Sequence, residues 1–274
     1  MLALKTSLII STYNWPSALE LCLKSILKQV QLPDEVVIAD DGSTEETRAV
    51  VKKYKEIFPV PVKHVWHPDN GFQLSAIRNK AILATEHEYI IQIDGDLILH
   101  PYFIKDHIRL AAPHKFVSGS RLMIPKAYSD RLLASRELPS YSELLMRGNN
   151  RLNALHMPLL TDWFAPRYKS GDKYYVKGCN MAFWRDDLLD VNGYDENFVG
   201  WGKEDSEIAA RLINKGINRQ FIKFGGICYH LHHKVASRER HDINDDMLLK
   251  TIETGIIRCA KGLHEHNKEE VTIY

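Results

Sequence analysis

The sequence predicts an α/β fold in which a mostly parallel central sheet is flanked by helices. Short apolar runs rich in β-branched residues alternate with segments of helical periodicity up to about residue 120. The runs are apolar throughout, as expected for strands that helices cover on both faces. Repeated strand–helix units of this kind form parallel sheets.

The first half contains four predicted strands and three predicted helices. The strands span residues 7–12, 35–39, 60–66 and 89–93. The helices span residues 16–29, 44–57 and 72–85. Pro16 suits the first turn of the first helix, where its missing N–H is no loss.

The pattern weakens after about residue 120. Residues 121–175 are rich in Arg, Tyr, Ser, Asn and Pro, which predicts helical pieces and loops. Periodicity returns at residues 174–176 and in the segments that follow. There we predict a helix over 204–215, short strands over 219–224 and 226–229, and a C-terminal helix over 247–261. With no internal repeat and no low-complexity linker, a single domain is expected.

Composition narrows the function classes. The chain has 274 residues, of which 45% are hydrophobic and 26% charged, enough for a sizeable core. Its net charge of +1 argues against electrostatic capture of nucleic acid. The four cysteines form no Cys-x-x-Cys pair, which argues against a structural zinc site or a disulfide framework. We find no signal peptide and no apolar run near the roughly 18 residues of a membrane span. We therefore expect a cytoplasmic protein, with contact to the inner face of the membrane left open.

Three predicted strands end in polar clusters. The clusters are Thr12-Tyr13-Asn14, Asp40-Asp41-Gly42-Ser43 and Asp94-Gly95-Asp96. The carboxyl ends of parallel strands meet at one edge of the sheet, where open α/β sheets bind ligands. Carboxylate oxygens suit Mg²⁺ or Mn²⁺, which bridge phosphates. Each cluster alone can be read as a helix cap or a turn. Three in register favour a binding site.

Two further clusters occur in the second half. Trp201-Gly202-Lys203-Glu204-Asp205 places two acids at the start of a predicted helix, and Cys228-Tyr229-His230-Leu231-His232-His233 gathers three histidines after a strand. Acids in the first helical turn are also expected for stability alone, and surface loops also collect histidines.

In combination and order these motifs resemble the family 2 glycosyltransferases with a GT-A fold. Residues 178–183, 193–198 and 200–205 resemble the C-terminal half shared with β-1,4-galactosyltransferases and chondroitin-type polymerases. The resemblance covers about residues 6–234. It implies a nucleotide-sugar-binding half over 1–120, an acceptor-binding and catalytic half over 121–240, and a C-terminal helical tail over 241–274.

The resemblance implies roles for matching positions. Asp41, with Asp40 beside it, would accept a hydrogen bond from uracil or its ribose, and Thr12 and Tyr13 would lie against the base. Asp94 would contact the ribose or the sugar. The full set expected to bind the donor is Thr12, Tyr13, Asn14, Asp40, Asp41, Asn70, Arg78, Asp94, Gly95 and Trp201.

The resemblance also implies a Mn²⁺ or Mg²⁺ cofactor, with Asp96 as a direct ligand. A histidine after Cys228 would complete the site. Its spacing of five from the cysteine best matches His233. His230 is the rival, because alternate residues of an extended segment share a face.

By the same resemblance Asp205 is the base that deprotonates the acceptor hydroxyl, and Glu204 binds the donor or acceptor sugar. The positive helix terminus would lower the basicity of Asp205, so proton transfer would accompany attack. Trp201 lies between two glycines, which suits a mobile aromatic that stacks on a sugar ring.

We therefore expect a metal-dependent inverting glycosyltransferase. It would move a hexose or N-acetylhexosamine from a UDP-sugar to a hydroxyl of a glycan or lipid-linked glycan acceptor, in surface polysaccharide synthesis. A sugar-nucleotide nucleotidyltransferase is one alternative, but its Gly-rich loop after the first strand is missing from residues 11–16. A non-catalytic carbohydrate-binding protein on the same fold is another, and it would not need both the metal acids and the base. A retaining transferase is the fourth hypothesis.

Overall fold

A computed structural model describes residues 4–149, 151–234, 240–267 and 271–274. The first half follows the predicted order closely. It consists of β1 (Thr6–Thr12), α1 (Pro16–Ile26), β2 (Glu35–Asp40), α2 (Glu45–Ile57), β3 (Val62–Trp66), α3 (Leu74–Ala84) and β4 (Tyr89–Asp94).

The rest of the chain is more regular than the sequence predicts. It contains β5 (Leu97–Leu99), α4 (Phe103–Leu110), β6 (Lys115–Gly119), β7 (Leu122–Met123), α5 (Lys126–Ser135), α6 (Tyr141–Arg147), α7 (Pro158–Phe164), β8 (Asn180–Trp184), α8 (Arg185–Asp190), α9 (Glu204–Asn214), β9 (Asn218–Ile222), β10 (Cys228–His230) and α10 (His241–Thr254). Short 3₁₀ helices occur at Arg151–Ala154 and Leu263–Glu265.

Two sequence expectations about these elements are wrong. The C-terminal helix begins and ends earlier than predicted, and it ends at Thr254 because Gly255 takes a left-handed conformation (φ 67°). The segment at Tyr174–Val176 belongs to no strand or helix.

The central sheet has seven strands in the order β3-β2-β1-β4-β8-β6-β9. All neighbouring pairs are parallel except that β8 runs antiparallel to both β4 and β6. The predicted α/β fold with a mostly parallel sheet is therefore confirmed. Because β8 and β9 of the second half join this sheet, both halves share one framework; the division into halves stays a prediction.

The core lies on both faces of the sheet, as alternating strand residues dictate. Leu8 and Ile10 of β1 pack in one buried cluster, and Ile9 packs in the other. Among the described residues, no helix combines the length and apolar character needed to cross a bilayer.

A small second sheet, ordered β5-β10-β7, positions part of the candidate site. His230 of β10 pairs with Leu97 of β5 in antiparallel register. Leu231 then donates its N–H to the carbonyl of Asp96 at 3.0 Å. The histidine segment is thereby held against the acidic turn that follows β4.

Candidate active site

A cleft of about 870 Å³ opens at the carboxyl ends of the central strands. It brings together most of the predicted site residues from both halves of the chain. Those that line it are Thr12, Tyr13, Asn14, Asp41, Arg78, Asp94, Gly95, Asp96, Trp201, Glu204, Asp205, His230 and His233.

Two predicted donor residues, Asp40 and Asn70, do not line the cleft. Asp40 is fully buried and its carboxylate bonds to His64 Nε2 (2.8 Å) and accepts from the Ser43 N–H (2.8 Å). Both carboxylate oxygens of Asp40 are thus engaged by protein groups beneath the turn. Asp40 therefore supports the turn after β2, and the expectation that it binds the donor needs this correction.

Asp41 is held in place by its own contacts. Its Oδ1 lies 2.7 Å from His67 Nε2, and its Oδ2 accepts from the Gln73 N–H at 3.0 Å. On the far side of the imidazole, Lys80 Nζ lies 3.1 Å from His67 Nδ1. An ammonium only donates, so the Nε2–H of His67 points at Asp41. The side chain is therefore oriented before any ligand binds.

The wall beside the end of β2 is completed by the loop that contains Asp69 and the predicted donor residue Asn70. The half-exposed Tyr13 donates its hydroxyl to Asp69 Oδ2 at 2.8 Å. Gly42 makes room for this loop, since a Cβ there would lie 2.5 Å from the Asp69 Cα. Its φ of +94° also favours glycine.

Asp96, His230 and His233 form a cluster suited to a metal ion. One ligand atom from each residue lies within 4.8 Å of the others. Both Nε2 atoms lie 3.3 Å from Asp96 Oδ2. Asp96 Oδ1 is buried and has no hydrogen-bond partner among the residues that the structure describes. An oxygen left bare in this way fits a cation ligand. The two histidines, rivals in the sequence, lie together here.

The histidines differ in environment. Burial lowers the pKa of His230, whereas the hydrogen bond to Asp96 raises the pKa of the more exposed His233. A metal needs neutral imidazole, so His230 is the better prepared of the two at neutral pH.

The second acid pair lies at the start of α9. Glu204 is buried, and loss of water together with the adjacent Asp205 raises its pKa to about 8. Its Oε2 accepts the N–H of Gly202 at 3.1 Å. At neutral pH Glu204 is therefore protonated and can donate a hydrogen bond.

Arg78 joins the two acid pairs. Its fully buried guanidinium donates from Nη1 to Asp205 Oδ1 (2.8 Å) and from Nη2 to Asp94 Oδ1 (3.1 Å). Its Nε donates to Ser11 Oγ at 3.2 Å. Loss of contact with bulk water raises the pKa of Asp94 to about 6. The negative charge of Asp96 also raises this pKa, whereas the positive charge of Arg78 lowers it. The sequence predicts that Arg78 contacts the nucleotide. In the structure its Nη1 and Nη2 groups instead donate to Asp205 and Asp94.

Gly178 sets the position of Asp205. A Cβ at Gly178 would lie 1.9 Å from Asp205 Oδ2, so only glycine leaves room for this carboxylate. The backbone there is anchored by Gln92, whose Nε2 donates to the Gly178 carbonyl at 3.0 Å. The Gly178 backbone therefore lies directly against the Asp205 carboxylate.

Trp201 lies on a loop in which three of its near neighbours have left-handed backbone conformations. Gly200, Gly202 and Lys203 have φ values of 77°, 108° and 76°. The Trp201 ring stacks near His241 of α10, with centroids 6.4 Å apart. These backbone conformations, two of them at glycines, turn the loop so that Trp201 lines the cleft.

Arg121 is a cleft residue that sequence reasoning missed. It lies just before β7, half-buried, and its Nη1 donates to Cys179 Sγ at 3.6 Å. It adds positive charge opposite Asp94 and Asp96. An isolated arginine in an irregular segment has no spacing signal, so only the fold reveals its place.

Comparison with known proteins agrees with this geometry. The family described as Glycosyl transferase family 2 matches residues 7–175, and the N-terminal domain of galactosyltransferase matches residues 163–234. The chain is 27% identical to chondroitin synthase of Escherichia coli and 30% identical to that of Pasteurella multocida, over 82% of its length in both cases. It spans only 34% and 24% of those two relatives.

A smaller relative is the validoxylamine A glucosyltransferase of Streptomyces hygroscopicus subsp. limoneus, 27% identical over 77% of this chain and 48% of its own.

Solved structures share the fold. S. aureus TarS 1–349 in complex with UDP superposes with a TM-score of 0.64 at 18% identity, over 96% of this chain and 68% of that one. Mannosyltransferase PcManGT from Pyrobaculum calidifontis, in complex with GDP-Man and Mn²⁺, gives a TM-score of 0.58 at 20% identity, over 95% and 68%.

The matched family covers more than half of the chain, and the fold is that of the GT-A enzymes. Of the sequence hypotheses, the glycosyltransferase is the one these findings bear out, with similarity to polysaccharide synthases. The chain belongs to the family 2 glycosyl transferases.

Proposed function

We propose that this protein is a metal-dependent inverting glycosyltransferase that moves a hexose or N-acetylhexosamine from a UDP-sugar to a hydroxyl of a glycan acceptor. The observation that carries the proposal is the pairing of two unlike sites in one cleft. One is the cluster of Asp96, His230 and His233, and the other is Asp205, tied to the first through Arg78 and Asp94.

The nucleoside would lie over the ends of β1 and β2. Asp41 would accept from the uracil or ribose, because His67 and Gln73 already fix its carboxylate. Tyr13 would lie against the base, being half-exposed at the wall. TarS has been solved with UDP and with UDP-GlcNAc, which supports a uridine nucleotide as the donor.

Asp96, His230 and His233 would hold the divalent ion. The bare Oδ1 of Asp96 supports this assignment. The mixed oxygen and nitrogen set favours Mn²⁺ over Mg²⁺, which prefers oxygen and water. When bound, the ion supplies positive charge beside the diphosphate and so stabilises the leaving group.

Asp205 would take the proton from the acceptor hydroxyl. As the acceptor oxygen forms its bond to the anomeric carbon, the bond to the UDP oxygen breaks and the hydroxyl proton passes to the carboxylate. Arg78 and Gly178 hold that carboxylate in one place. A single displacement of this kind inverts the anomeric centre. Glu204, protonated at neutral pH, would donate to a sugar oxygen.

The acceptor would lie against aromatic side chains of the cleft. Tyr174 and Tyr175 line the cleft beside Trp201, which suits stacking on sugar rings. Trp163 and Tyr168 do not line it. Chondroitin synthases among the relatives support a growing polysaccharide, free or lipid-linked, as the acceptor.

The test is release of UDP from a panel of UDP-hexoses and UDP-N-acetylhexosamines, with and without an added glycan, after the protein has been stripped of metal. Turnover should require Mn²⁺ or Mg²⁺. The anomeric proton coupling of the product, read by NMR, should show inversion. Undiminished turnover in excess chelator, or a product that retains the donor configuration, would contradict the proposal.

A further inference from the structure

One surface near the cleft exposes large apolar side chains that no core cluster uses. We call it the α7 surface: Leu152, Leu155, Leu159, Leu160 and Trp163. The exposed fractions reach 75% at Leu152, 86% at Leu159 and 55% at Trp163. Exposed apolar side chains concentrated in one short stretch of chain mark an interaction site more often than scattered ones do.

Three of these residues share one face of α7. Leu159 and Trp163 are four residues apart and Leu160 and Trp163 three apart, the spacings of neighbours on a helix. The opposite face is turned inward, since Thr161 is buried and the Phe164 ring packs against Phe224 at 5.4 Å. The apolar stripe therefore points away from the protein.

The stretch of chain that carries the stripe is basic overall. The Arg167 guanidinium lies over the Trp163 ring at 5.0 Å. Arg109 reaches α7 and pairs with Asp162 at 3.2 Å, so its positive charge neutralises the negative charge of that aspartate. Lys223 bonds to Asn153 in the preceding 3₁₀ helix. Between residues 141 and 177 the chain carries six Arg and Lys against three Asp and Glu.

We propose that the α7 surface docks on an anionic lipid surface. Leucine and tryptophan side chains enter the boundary between headgroups and acyl chains, while arginine and lysine meet the lipid phosphates. A second copy of the chain suits the surface less well. A symmetric contact would press two basic stretches together, and like charges across an interface disfavour association.

The segment after α7 connects this surface to the cleft. Arg219 of β9 donates to the carbonyls of Tyr175 and Lys169, which ties the segment to the central sheet. Tyr175 itself lines the cleft. Docking through α7 would therefore place the acceptor side of the cleft near the membrane, where a lipid-linked glycan would reach it. That last step rests on the proposed function, whereas the docking does not.

The test is co-sedimentation of the full chain with vesicles, in the absence of any donor or acceptor. The vesicles are phosphatidylcholine alone or an equal mixture of phosphatidylcholine and phosphatidylglycerol. The protein should bind the mixed vesicles and release on addition of salt. The variant Leu159→Ser/Trp163→Ser should bind at least about tenfold more weakly. Val30→Ser/Ile57→Ser, which changes residues of 53% and 49% exposure elsewhere, should bind like the parent.

Two outcomes would overturn the proposal. In one, the parent and the α7 variant sediment alike with mixed vesicles, or neither sediments. In the other, light scattering shows a dimer that the α7 variant dissociates, and vesicles capture neither protein. Release of UDP from a UDP-sugar should be the same in the parent and the α7 variant. If neither the parent nor the α7 variant releases UDP, the proposed function is contradicted. The vesicle experiment would still test the docking on its own.

Discussion

The two acid pairs of the cleft are alike in sequence and unlike in surroundings. Asp96, at the end of β4, faces two imidazoles and keeps one oxygen bare. Asp205, at the start of α9, faces Arg78 and lies so close to Gly178 that a larger residue there would clash with its carboxylate. The comparison teaches that a carboxylate's role is set by its neighbours: Asp96 is prepared to hold a metal ion, whereas Asp205 is already paired with the Arg78 guanidinium.

The largest effect is expected from Asp205→Asn, which removes the proposed base. We predict that kcat falls by about a thousandfold, since general-base catalysis contributes roughly 10²–10⁴. Affinity for UDP should stay within about threefold, because the nucleoside contacts lie elsewhere. Steady-state kinetics and calorimetric titration with UDP check both parts. Asp186→Asn, at another helix start and exposed, is the matched control. A kcat close to that of the parent would mean that another group is the base.

The Asp96→Asn variant tests the other half of the comparison, the proposed metal site. We predict that Mn²⁺ affinity falls by about a hundredfold, with a loss of transfer to match, because a direct oxygen ligand is lost. Asp205→Asn, by contrast, should leave Mn²⁺ affinity unchanged. Titration of Mn²⁺ by electron paramagnetic resonance separates the two variants, with Asp130→Asn as an exposed control. Equal Mn²⁺ affinity in the Asp96 variant and the parent would exclude this cluster as the metal site.

Gly178→Ala tests how tightly the position of Asp205 is fixed. A Cβ there would lie 1.9 Å from Asp205 Oδ2, so the carboxylate must move. We predict a drop in kcat of about a hundredfold, the usual cost of a displacement near 1 Å at a reacting group. Gly171→Ala is the control, since a Cβ at Gly171 would meet no atom within 4 Å. If both variants turn over alike, the glycine is not what positions the base.

The smallest effect is on stability and concerns Glu204. Its pKa of about 8 in the fold exceeds the ordinary value of 4.5. The unfolded chain therefore ionises first, and this group's contribution to the free energy of unfolding falls as pH rises from about 4.5 to 8. Glu204→Gln should remove that loss and stabilise the protein at pH 8 by at most about 4 kcal/mol, with little effect near pH 4.5.

Urea denaturation at the two pH values measures the effect, with the exposed Glu253→Gln as the control. A stability gain of the same size at both pH values would show that it does not come from the ionisation of Glu204. If the Glu204→Gln variant is more stable but transfers sugar more slowly, the buried acid serves function rather than stability.

Local sequence patterns were enough for much of the fold and part of the site. The βα units of the first half and the acids at strand ends follow from periodicity and from the turn residues. The direction of β8 could not be predicted, because nothing in five residues tells a parallel strand from an antiparallel one. Short segments do not reveal their pairing partners either, so the sequence did not predict the small sheet that joins His230 to Asp96.

The missed roles share a physical cause. Arg78 and Asp205 are 127 residues apart, so no spacing rule connects them. Arg121 lies in a segment without periodicity. Asp40 was misplaced because its buried partners, His64 and the Ser43 N–H, become visible only in the fold.

The bond between Arg78 and Asp205 bears on how such enzymes can be recombined. Arg78 comes from α3 and Asp205 from α9, so each half supplies one partner of a buried ion pair. A chimera that joined residues 1–120 to a foreign acceptor half would keep the contact of Arg78 with Asp94 but leave Nη1 of this buried guanidinium without its acceptor unless the graft restored the acid. Acceptor preference can therefore be exchanged between relatives only together with the residue that meets Arg78.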